Sequence, residues 1–145
     1  MDYDVTIIGA GVIGLATAKK LSETYKNLLI IDKEGSFGRG ISSRSSEVIH
    51  SGIYYKQNSL KATLCINGKR KLYKYCKEKS IKHNICGKLI LAKGIIGEKR
   101  LDELFLNAKN NGVVDGEICT KKELFRLEPN INAEYGLHFP NYSFC

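Results

Sequence analysis

The sequence lacks the features that would tie it to a metal, a disulfide framework or a membrane span. Its five cysteines are an odd number and no two stand in a Cys-x-x-Cys arrangement, so we expect reduced thiols and neither disulfides nor a bound metal. No basic leader precedes the first apolar segment, and no run of about 20 apolar residues is present. These absences predict a cytoplasmic protein without a transmembrane segment, and they leave peripheral contact with the inner membrane open.

The composition is that of an ordinary folded domain with an excess of basic residues. The 145 residues are 43% hydrophobic and 26% charged, with a net charge of +8, and this length suffices for one compact core. Lysines are densest in residues 69–82, where Tyr73 and Tyr75 stand between them. Such a segment could contact a phosphate backbone, but a solvated helix face explains it more simply. We therefore predict no nucleic-acid partner.

A glycine-rich turn stands between a strand pattern and a helix pattern near the start of the chain. Residues 3–8 are mostly apolar and β-branched, and they lead into Gly9-x-Gly11-x-x-Gly14, after which apolar residues recur at helical spacing. A second apolar run occupies residues 28–31. The pattern predicts an α/β fold that begins with a Rossmann-like FAD/NAD(P)-binding βαβ unit, whose parallel strands are buried on both faces.

The glycines of this turn would have separate tasks in a dinucleotide site. Gly9 permits the tight turn, Gly11 lets the backbone approach a pyrophosphate, and Gly14 lets the helix pack closely on the strand. Backbone N–H groups at the helix start, beside Ala10, would face the phosphates with the positive end of the helix dipole behind them. A glycine-rich turn in an unrelated α/β domain is the alternative.

An acidic residue follows the second strand at the spacing expected for a ribose ligand. Asp32 stands about 20 residues after the glycine motif, with Lys33 beside it. Its carboxylate can accept hydrogen bonds from an adenosine ribose and would repel a 2′-phosphate. FAD or NAD is therefore favoured over NADP, although Lys33 weakens the second argument.

The segment from residue 36 to residue 58 distinguishes the two remaining cofactors. It is rich in Gly, Ser and Arg, whereas an NAD-binding domain usually continues into further short βα units. Hydroxyl and guanidinium groups suit an anionic, hydroxyl-rich ligand such as FAD. A polar surface loop is the plainer interpretation, and composition leaves both open. One helical turn is expected near residues 45–49.

Further helices and strands are predicted beyond this loop. Ser59 is expected to cap a helix that extends to about Lys79, and its apolar seam would consist of Leu60, Leu64, Gly68, Leu72 and Tyr75. The other predicted elements are a strand at 86–93, an amphipathic helix at 98–111, a short helix at 121–127 capped by Thr120, and a strand at 135–139. No internal repeat is present.

A serine-rich block and its flanking segments carry a family resemblance. The block is Ser-Ser-Arg-Ser-Ser-Glu-Val-Ile-His-Ser-Gly-Ile-Tyr-Tyr at 42–55, and the flanking segments are 3–14, 59–62 and 86–90. Together they resemble the L-2-hydroxyglutarate dehydrogenase/oxidase family, one of the D-amino-acid-oxidase-like flavoproteins. Glycerol-3-phosphate dehydrogenases share a looser version of the block.

The resemblance implies bound FAD and assigns residues to it. The cofactor-binding residues would be Gly9, Ala10, Gly11, Gly14, Asp32, Lys33, Ser42, Ser43, Arg44 and Ser45. His50 matches a histidine that lies close to the flavin in related folds. It would act as the general base for a substrate hydroxyl, since an imidazole suits that task at neutral pH, or it would pack against the isoalloxazine ring.

The resemblance also implies an activity and a division of the chain. The parent enzyme would oxidise L-2-hydroxyglutarate, a 2-hydroxyacid, to 2-oxoglutarate and pass electrons to an acceptor such as a quinone. Alternatives are a glycerol-3-phosphate or amino-acid type of FAD-dependent dehydrogenase and a noncatalytic nucleotide-binding remnant. Residues 1–85 would bind FAD and residues 86–145 would begin an α+β substrate domain. Because family members look much longer, we expect a truncated fragment that is inactive alone and retains FAD weakly or not at all.

Overall fold

The chain folds into two compact units, which are Met1–Ser46 and Glu47–Cys145. The computed structural model describes residues 2–144. Cys145 lies outside the described residues, and the other four cysteines are free thiols. The predicted boundary at residue 85 separates a cofactor-binding part from a substrate-binding part, so it is a statement about function and stays a prediction.

The first unit contains the predicted βαβ arrangement. Strand β1 (Val5–Ile8), helix α1 (Val12–Leu21) and strand β2 (Leu28–Ile31) follow one another, and a short 3-10 helix spans Ser42–Arg44. Strands β1 and β2 pair in parallel, with Val5 opposite Leu28 and Ile8 opposite Ile31. This pairing confirms the Rossmann-like start of the fold.

Burial of these two strands on both faces was predicted, and that prediction is wrong for the described residues. The side chain of Ile8 is 88% exposed and that of Ile31 is 49% exposed. A parallel sheet needs a layer of structure on each face to bury both, and the first unit supplies a single α-helix, α1.

The second unit is an α+β arrangement with two small sheets. Its elements are β3 (Val48–Ile49), α2 (Leu60–Glu78), β4 (Asn84–Ile85), β5 (Lys88–Ala92), α3 (Gly94–Asn110), β6 (Glu117–Thr120), α4 (Lys121–Leu127), β7 (Tyr135–Phe139) and β8 (Ser143–Phe144). One sheet has the order β3-β8-β4 and the other the order β5-β7-β6. All four strand pairs are antiparallel.

The main core of the second unit forms between helix α3 and strand β7. Leu101 and Ala108 lie on the buried face of α3, as the helical spacing predicted, and they pack in one cluster with Ile53, Leu137 and Phe139. Burial of each of the larger side chains in this cluster contributes roughly 1.5–3 kcal/mol to the stability of the fold. The segment that carries Ile53 is thereby held against the sheet.

The predicted apolar seam of α2 is wrong, although the helix and its cap are confirmed. Ser59 Oγ accepts the Ala62 N–H at 3.2 Å, but Leu60, Leu64 and Leu72 are exposed. The buried residues of α2 are Ala62 and Cys76. Sequence periodicity can identify a helix that has more than one partly apolar face. Which of those faces is buried is decided by residues distant in sequence that pack against the helix.

Other local differences have the same origin. The helical turn expected near 45–49 is absent from the described residues there, because Val48 and Ile49 pair with Phe144 and Ser143 at the far end of the chain. Helix α4 follows the prediction residue for residue, since its signals, Thr120 before it and Pro129 after it, are local.

Candidate nucleotide site and histidine loop

The glycine turn of the first unit has the backbone geometry that the motif requires. Gly9 has a φ of +107°, a conformation that side chains disfavour, and its N–H donates to the Ile31 carbonyl oxygen at 2.7 Å. A Cβ atom on Gly14 would lie 1.8 Å from the Gly9 carbonyl oxygen. Helix α1 can therefore follow β1 at this distance only with glycine at position 14.

The carboxylate of Asp32 lies directly beside this turn. Its Oδ2 accepts the Ala10 N–H at 2.5 Å and its Oδ1 accepts the Glu34 N–H at 2.8 Å. These bonds from Glu34 and Ala10 hold the pKa of Asp32 below its usual value, so the group is anionic at neutral pH. A carboxylate has about four acceptor positions. Two hydrogen bonds therefore leave acceptor capacity for a ligand hydroxyl.

The side chain of Lys33, the residue after Asp32, is exposed and pairs loosely with Glu34. Its ammonium is 4.0 Å from a Glu34 carboxylate oxygen, and the side chain is 89% exposed. An exposed pair of this kind contributes little to stability. A role for Lys33 toward a cofactor stays a prediction.

The serine-rich segment returns to the start of α1. Ser42 Oγ accepts the Val12 N–H at 3.0 Å, and a Cβ atom on Gly11 would lie 2.9 Å from that oxygen. The Gly38 N–H donates to the Ala10 carbonyl oxygen at 2.8 Å, which closes the loop on the turn. The structure therefore brings Ser42 to the N-terminus of helix α1, and its contact with a cofactor stays a prediction.

The remaining residues of this segment lie further along the same 3-10 turn. Ser43, Arg44 and Ser45 have exposed side chains, and Ser43 Oγ donates to the Gly40 carbonyl oxygen at 2.9 Å. Their predicted contacts with a cofactor stay predictions.

His50 follows strand β3 in the second unit and faces outward. Its side chain is exposed, whereas Ile49 and Ser51 on either side are buried, as alternation along an extended chain produces. The Tyr55 hydroxyl lies 3.3 Å from His50 Nδ1. Burial and a hydrogen bond with Cys65 raise the pKa of Tyr55, so its phenol stays protonated at neutral pH.

Two asparagines that the sequence analysis missed anchor the segment after His50. Asn111 Nδ2 donates to the carbonyl oxygens of Gly52 (3.0 Å) and Tyr55 (2.8 Å), and Asn107 Nδ2 donates to those of Ile53 (2.9 Å) and Tyr55 (3.0 Å). Both lie at the end of α3, where Asn is ordinary as a helix terminator, so no sequence signal separates this use from capping. The loop that carries Tyr55 is thus tied to helix α3, whose Leu101 and Ala108 lie in the core.

Residues 2–144 contain neither a candidate membrane-spanning helix nor a candidate metal cluster. No helix there combines the length and the apolar character needed to cross a membrane. No group of three or more His, Cys, Asp or Glu side chains in that range could hold a metal ion.

The chain matches known flavoproteins along nearly its whole length. A family model described as "FAD dependent oxidoreductase" matches residues 4–145. The chain is 44% identical over 137 residues to the mitochondrial L-2-hydroxyglutarate dehydrogenase of Arabidopsis thaliana and 39% identical over 141 residues to that of Homo sapiens, covering 94% and 96% of this chain. These matches confirm the resemblance carried by the serine-rich block.

Solved structures of two oxidases superpose on this chain. An L-alpha-glycerophosphate oxidase from Mycoplasma pneumoniae with FAD bound superposes with a TM-score of 0.88 at 29% identity, over 99% of this chain and 39% of that one. A glycine oxidase from Geobacillus kaustophilus gives 0.81 at 22% identity, over 98% and 40%, and shows a shared fold.

The match covers a minority of each relative. The chain spans 28% of the Arabidopsis protein and 30% of the human one, which is about a third of the length of the curated relatives it matches.

Proposed function

This chain belongs to the FAD dependent oxidoreductase family, and from that premise we propose that it supplies the nucleotide-binding part of an FAD-dependent 2-hydroxyacid dehydrogenase. The observation that carries the proposal is the contact between Asp32 and the glycine turn, with Asp32 Oδ2 accepting the Ala10 N–H. It supports the proposal because an anionic carboxylate lies beside a helix N-terminus, and a dinucleotide site combines a ribose acceptor with a helix N-terminus.

The residues of the first unit fit the adenosine and pyrophosphate parts of FAD. The N-terminal N–H groups of α1 and the helix dipole would stabilise the phosphates, and Ser42 would take part because its hydroxyl already lies at Val12. Asp32 would accept hydrogen bonds from the ribose. We keep Ala10, Lys33, Ser43, Arg44 and Ser45 as proposed contacts, supported by the resemblance and by their place in the same unit.

His50 is the residue that we propose as general base. When bound, FAD would supply the acceptor for the hydride that leaves the substrate carbon. Because the Tyr55 hydroxyl hydrogen-bonds with Cys65, its oxygen can accept from His50 Nδ1, 3.3 Å away. That bond would fix the tautomer with an unprotonated Nε2, which could take the proton of a substrate hydroxyl.

L-2-hydroxyglutarate is the substrate that we propose. The support is the names of relatives at 39% to 44% identity, all L-2-hydroxyglutarate dehydrogenases. A glycerol-3-phosphate type of enzyme is the second candidate, favoured by the superposition on a glycerophosphate oxidase. Anaerobic bleaching of the flavin, measured on the protein at its natural length with each substrate in turn, decides between them.

The organisation and partners of the parent enzyme are part of the same proposal. Residues 1–85 would hold the cofactor, and residues 86–145 would begin the substrate domain. The electron acceptor would be a quinone, reached by peripheral contact at the inner membrane from the cytoplasmic side. These points rest on the family resemblance, and reduction of a soluble quinone analogue by the substrate-reduced enzyme tests the acceptor.

A titration with FAD tests the nucleotide site in this chain. Quenching of flavin fluorescence should report weak binding by the 145-residue protein, and Asp32→Ala should weaken it about tenfold or more, because a lost hydrogen bond to a charged group costs roughly 1.5–3 kcal/mol. Glu34→Ala removes a neighbouring charge and should leave affinity nearly unchanged.

Asp32→Asn separates a ribose contact from a folding defect. It keeps an acceptor oxygen for the Ala10 N–H and should still bind more weakly than the wild type. Equal affinity for the wild type and both Asp32 variants, each with a native circular dichroism spectrum, would contradict the site. Retention of a yellow flavin spectrum through gel filtration would contradict only the expected weak retention.

A further inference from the structure

The second unit contains a polar cavity that the proposed FAD chemistry does not use. It has a volume of about 240 Å³ and lies between helix α2 and the turn at 112–115. Its polar lining residues are Ser51, Lys69, Arg70, Tyr73, Asp115 and Asn141. A single water needs roughly 10–15 Å³ of such volume, so the cavity has room for a small polyatomic ion with its waters.

The side chains that line this cavity carry more positive than negative charge. Lys69 and Asp115 form an ion pair at 3.8 Å, with side chains 14% and 23% exposed, a separation too long for a hydrogen bond. Burial lowers the pKa of Lys69, against the opposing attraction of Asp115. Arg70, the next residue of α2, adds a second cation to the lining. One carboxylate therefore faces two cations, and the half-buried ammonium has only a loose counterion.

A buried hydroxyl in the same cavity lacks a partner. Ser51 is 4% exposed and lines the cavity, and among residues 2–144 nothing hydrogen-bonds to its Oγ. Leaving a buried polar group unpaired costs roughly 1–3 kcal/mol. A hydroxyl can donate to an acceptor, and the cavity it lines is enriched in donors, namely an ammonium and a guanidinium.

We propose that this cavity binds one small oxyanion, a phosphate or carboxylate group. Such a group accepts from Ser51 Oγ, from the Lys69 ammonium and from the Arg70 guanidinium, and it supplies the negative charge that Asp115 alone does not. Neutral water would satisfy the hydroxyl but would leave the two cations with one carboxylate. A metal cation is disfavoured because the same two cations would repel it.

Backbone NMR titration localises the binding. ¹H–¹⁵N spectra of the ¹⁵N-labelled chain are recorded against inorganic phosphate and, separately, acetate, with chloride at equal ionic strength as reference. Saturable shifts at Ser51 and at Gly112–Asp115 are expected with at least one of the two anions, and the tighter of them identifies the group. Shifts confined to residues 9–14, or none beyond chloride, overturn the proposal and leave the proposed FAD site untouched.

Matched variants test the assigned donors. Arg70→Gln should weaken anion binding about tenfold, the value of one charge-assisted hydrogen bond, whereas Lys71→Gln, the same charge change on the same helix, should weaken it by less than about twofold because Lys71 does not line the cavity. Equal effects of the two variants would mean diffuse attraction and would reject a built site.

Ser51→Ala gives a readout that a structural role would not produce. In the absence of anion it should raise the melting temperature, since an unpaired buried hydroxyl is removed, and it should also weaken the anion severalfold. An unchanged affinity, with the fold intact by circular dichroism, would refute the part assigned to Ser51.

Discussion

At the scale of single residues, the glycines of the chain differ in what a side chain would meet. Gly14 has the Gly9 carbonyl oxygen where its Cβ would stand, whereas Gly35 and Gly68 have no atom within 4 Å of that position. Glycine is therefore required at position 14, where the backbone of Gly9 leaves no room for a side chain. The other two are exchangeable, and Gly68 lowers the stability of α2 because glycine is a poor helix former.

A substitution at Gly14 should unfold the first unit locally. Gly14→Ala forces the helix off the strand, and overpacking of this kind costs typically about 1–3 kcal/mol. We expect a lower midpoint in urea and loss of FAD binding, measured by circular dichroism and flavin fluorescence.

Gly68→Ala is the matched control for this change. It should stabilise the protein by about 0.5–1 kcal/mol through helix propensity and leave FAD affinity unchanged. A Gly14→Ala protein as stable as the wild type would show that α1 does not pack on β1 as described.

Residues with local signals could be predicted from the sequence, and residues with distant partners could not. Asp32 follows a strand at a motif-defined distance, and Thr120 precedes an apolar helix, so both were identified. Asn107 and Asn111 act on carbonyl groups more than 50 residues earlier in the chain. Nothing in their neighbourhood indicates those partners.

At the scale of elements, helix α4 shows how one side chain can set the pH response of a helix start. The Glu123 carboxylate accepts both the N–H and the hydroxyl of Thr120, each at 2.7 Å. The bonds from the Thr120 hydroxyl and N–H lower the pKa of Glu123 below its usual 4.5. Because the folded-state value is the lower one, this stabilisation is present above pH 4.5 and is lost as the pH falls through the folded-state pKa.

Replacing this carboxylate should flatten the acid side of the stability profile. Glu123→Gln should lower the urea midpoint at pH 7, and its difference from the wild type should shrink as the pH falls below 4.5 and through the folded-state pKa of the carboxyl. Chemical denaturation across that range measures the difference.

Lys121→Gln, at the start of the same helix, serves as the reference variant. Lys121→Gln should change the urea midpoint by the same amount at the acidic end and at the neutral end of the pH profile. A pH profile of Glu123→Gln parallel to that of the wild type would remove the proposed role of the carboxylate.

The elements themselves were predicted where they form from their own sequence. Helices α2, α3 and α4 and strands β1, β2, β5 and β7 were expected within a few residues of their observed bounds. The two-residue strands β3, β4 and β8 were not, because they are defined by pairing with each other. Strand β6 is four residues long and carries too little periodicity to be recognised.

At the scale of the whole molecule, large apolar side chains are exposed in both units. Helix α2 presents Leu60, Leu64 and Leu72 to solvent, and the first unit presents Ile8 and Ile13. Exposed apolar side chains that form a contiguous patch commonly mark a site of contact with protein, ligand or membrane.

This exposure should be measurable with a dye that fluoresces on apolar surfaces. Leu64→Gln should lower dye binding without lowering the melting temperature, since the Leu64 side chain is 59% exposed and contributes little to the core. Leu106→Gln, at a similarly exposed position on α3, controls for general polarity. An equal decrease in both variants would mean that the helix α2 face is not the dye site.

The strand order β5-β7-β6 determines when the strands of this sheet can pair during synthesis on the ribosome. The central strand, β7, is the last of the three to be translated, so β5 and β6 leave the ribosome with no neighbour to bond to. At about 5–20 residues per second, the stretch from Ala92 to Phe139 takes roughly 2–9 s to be made. During those seconds β5 is an unpaired strand edge, whose free N–H and C=O groups can pair with another chain.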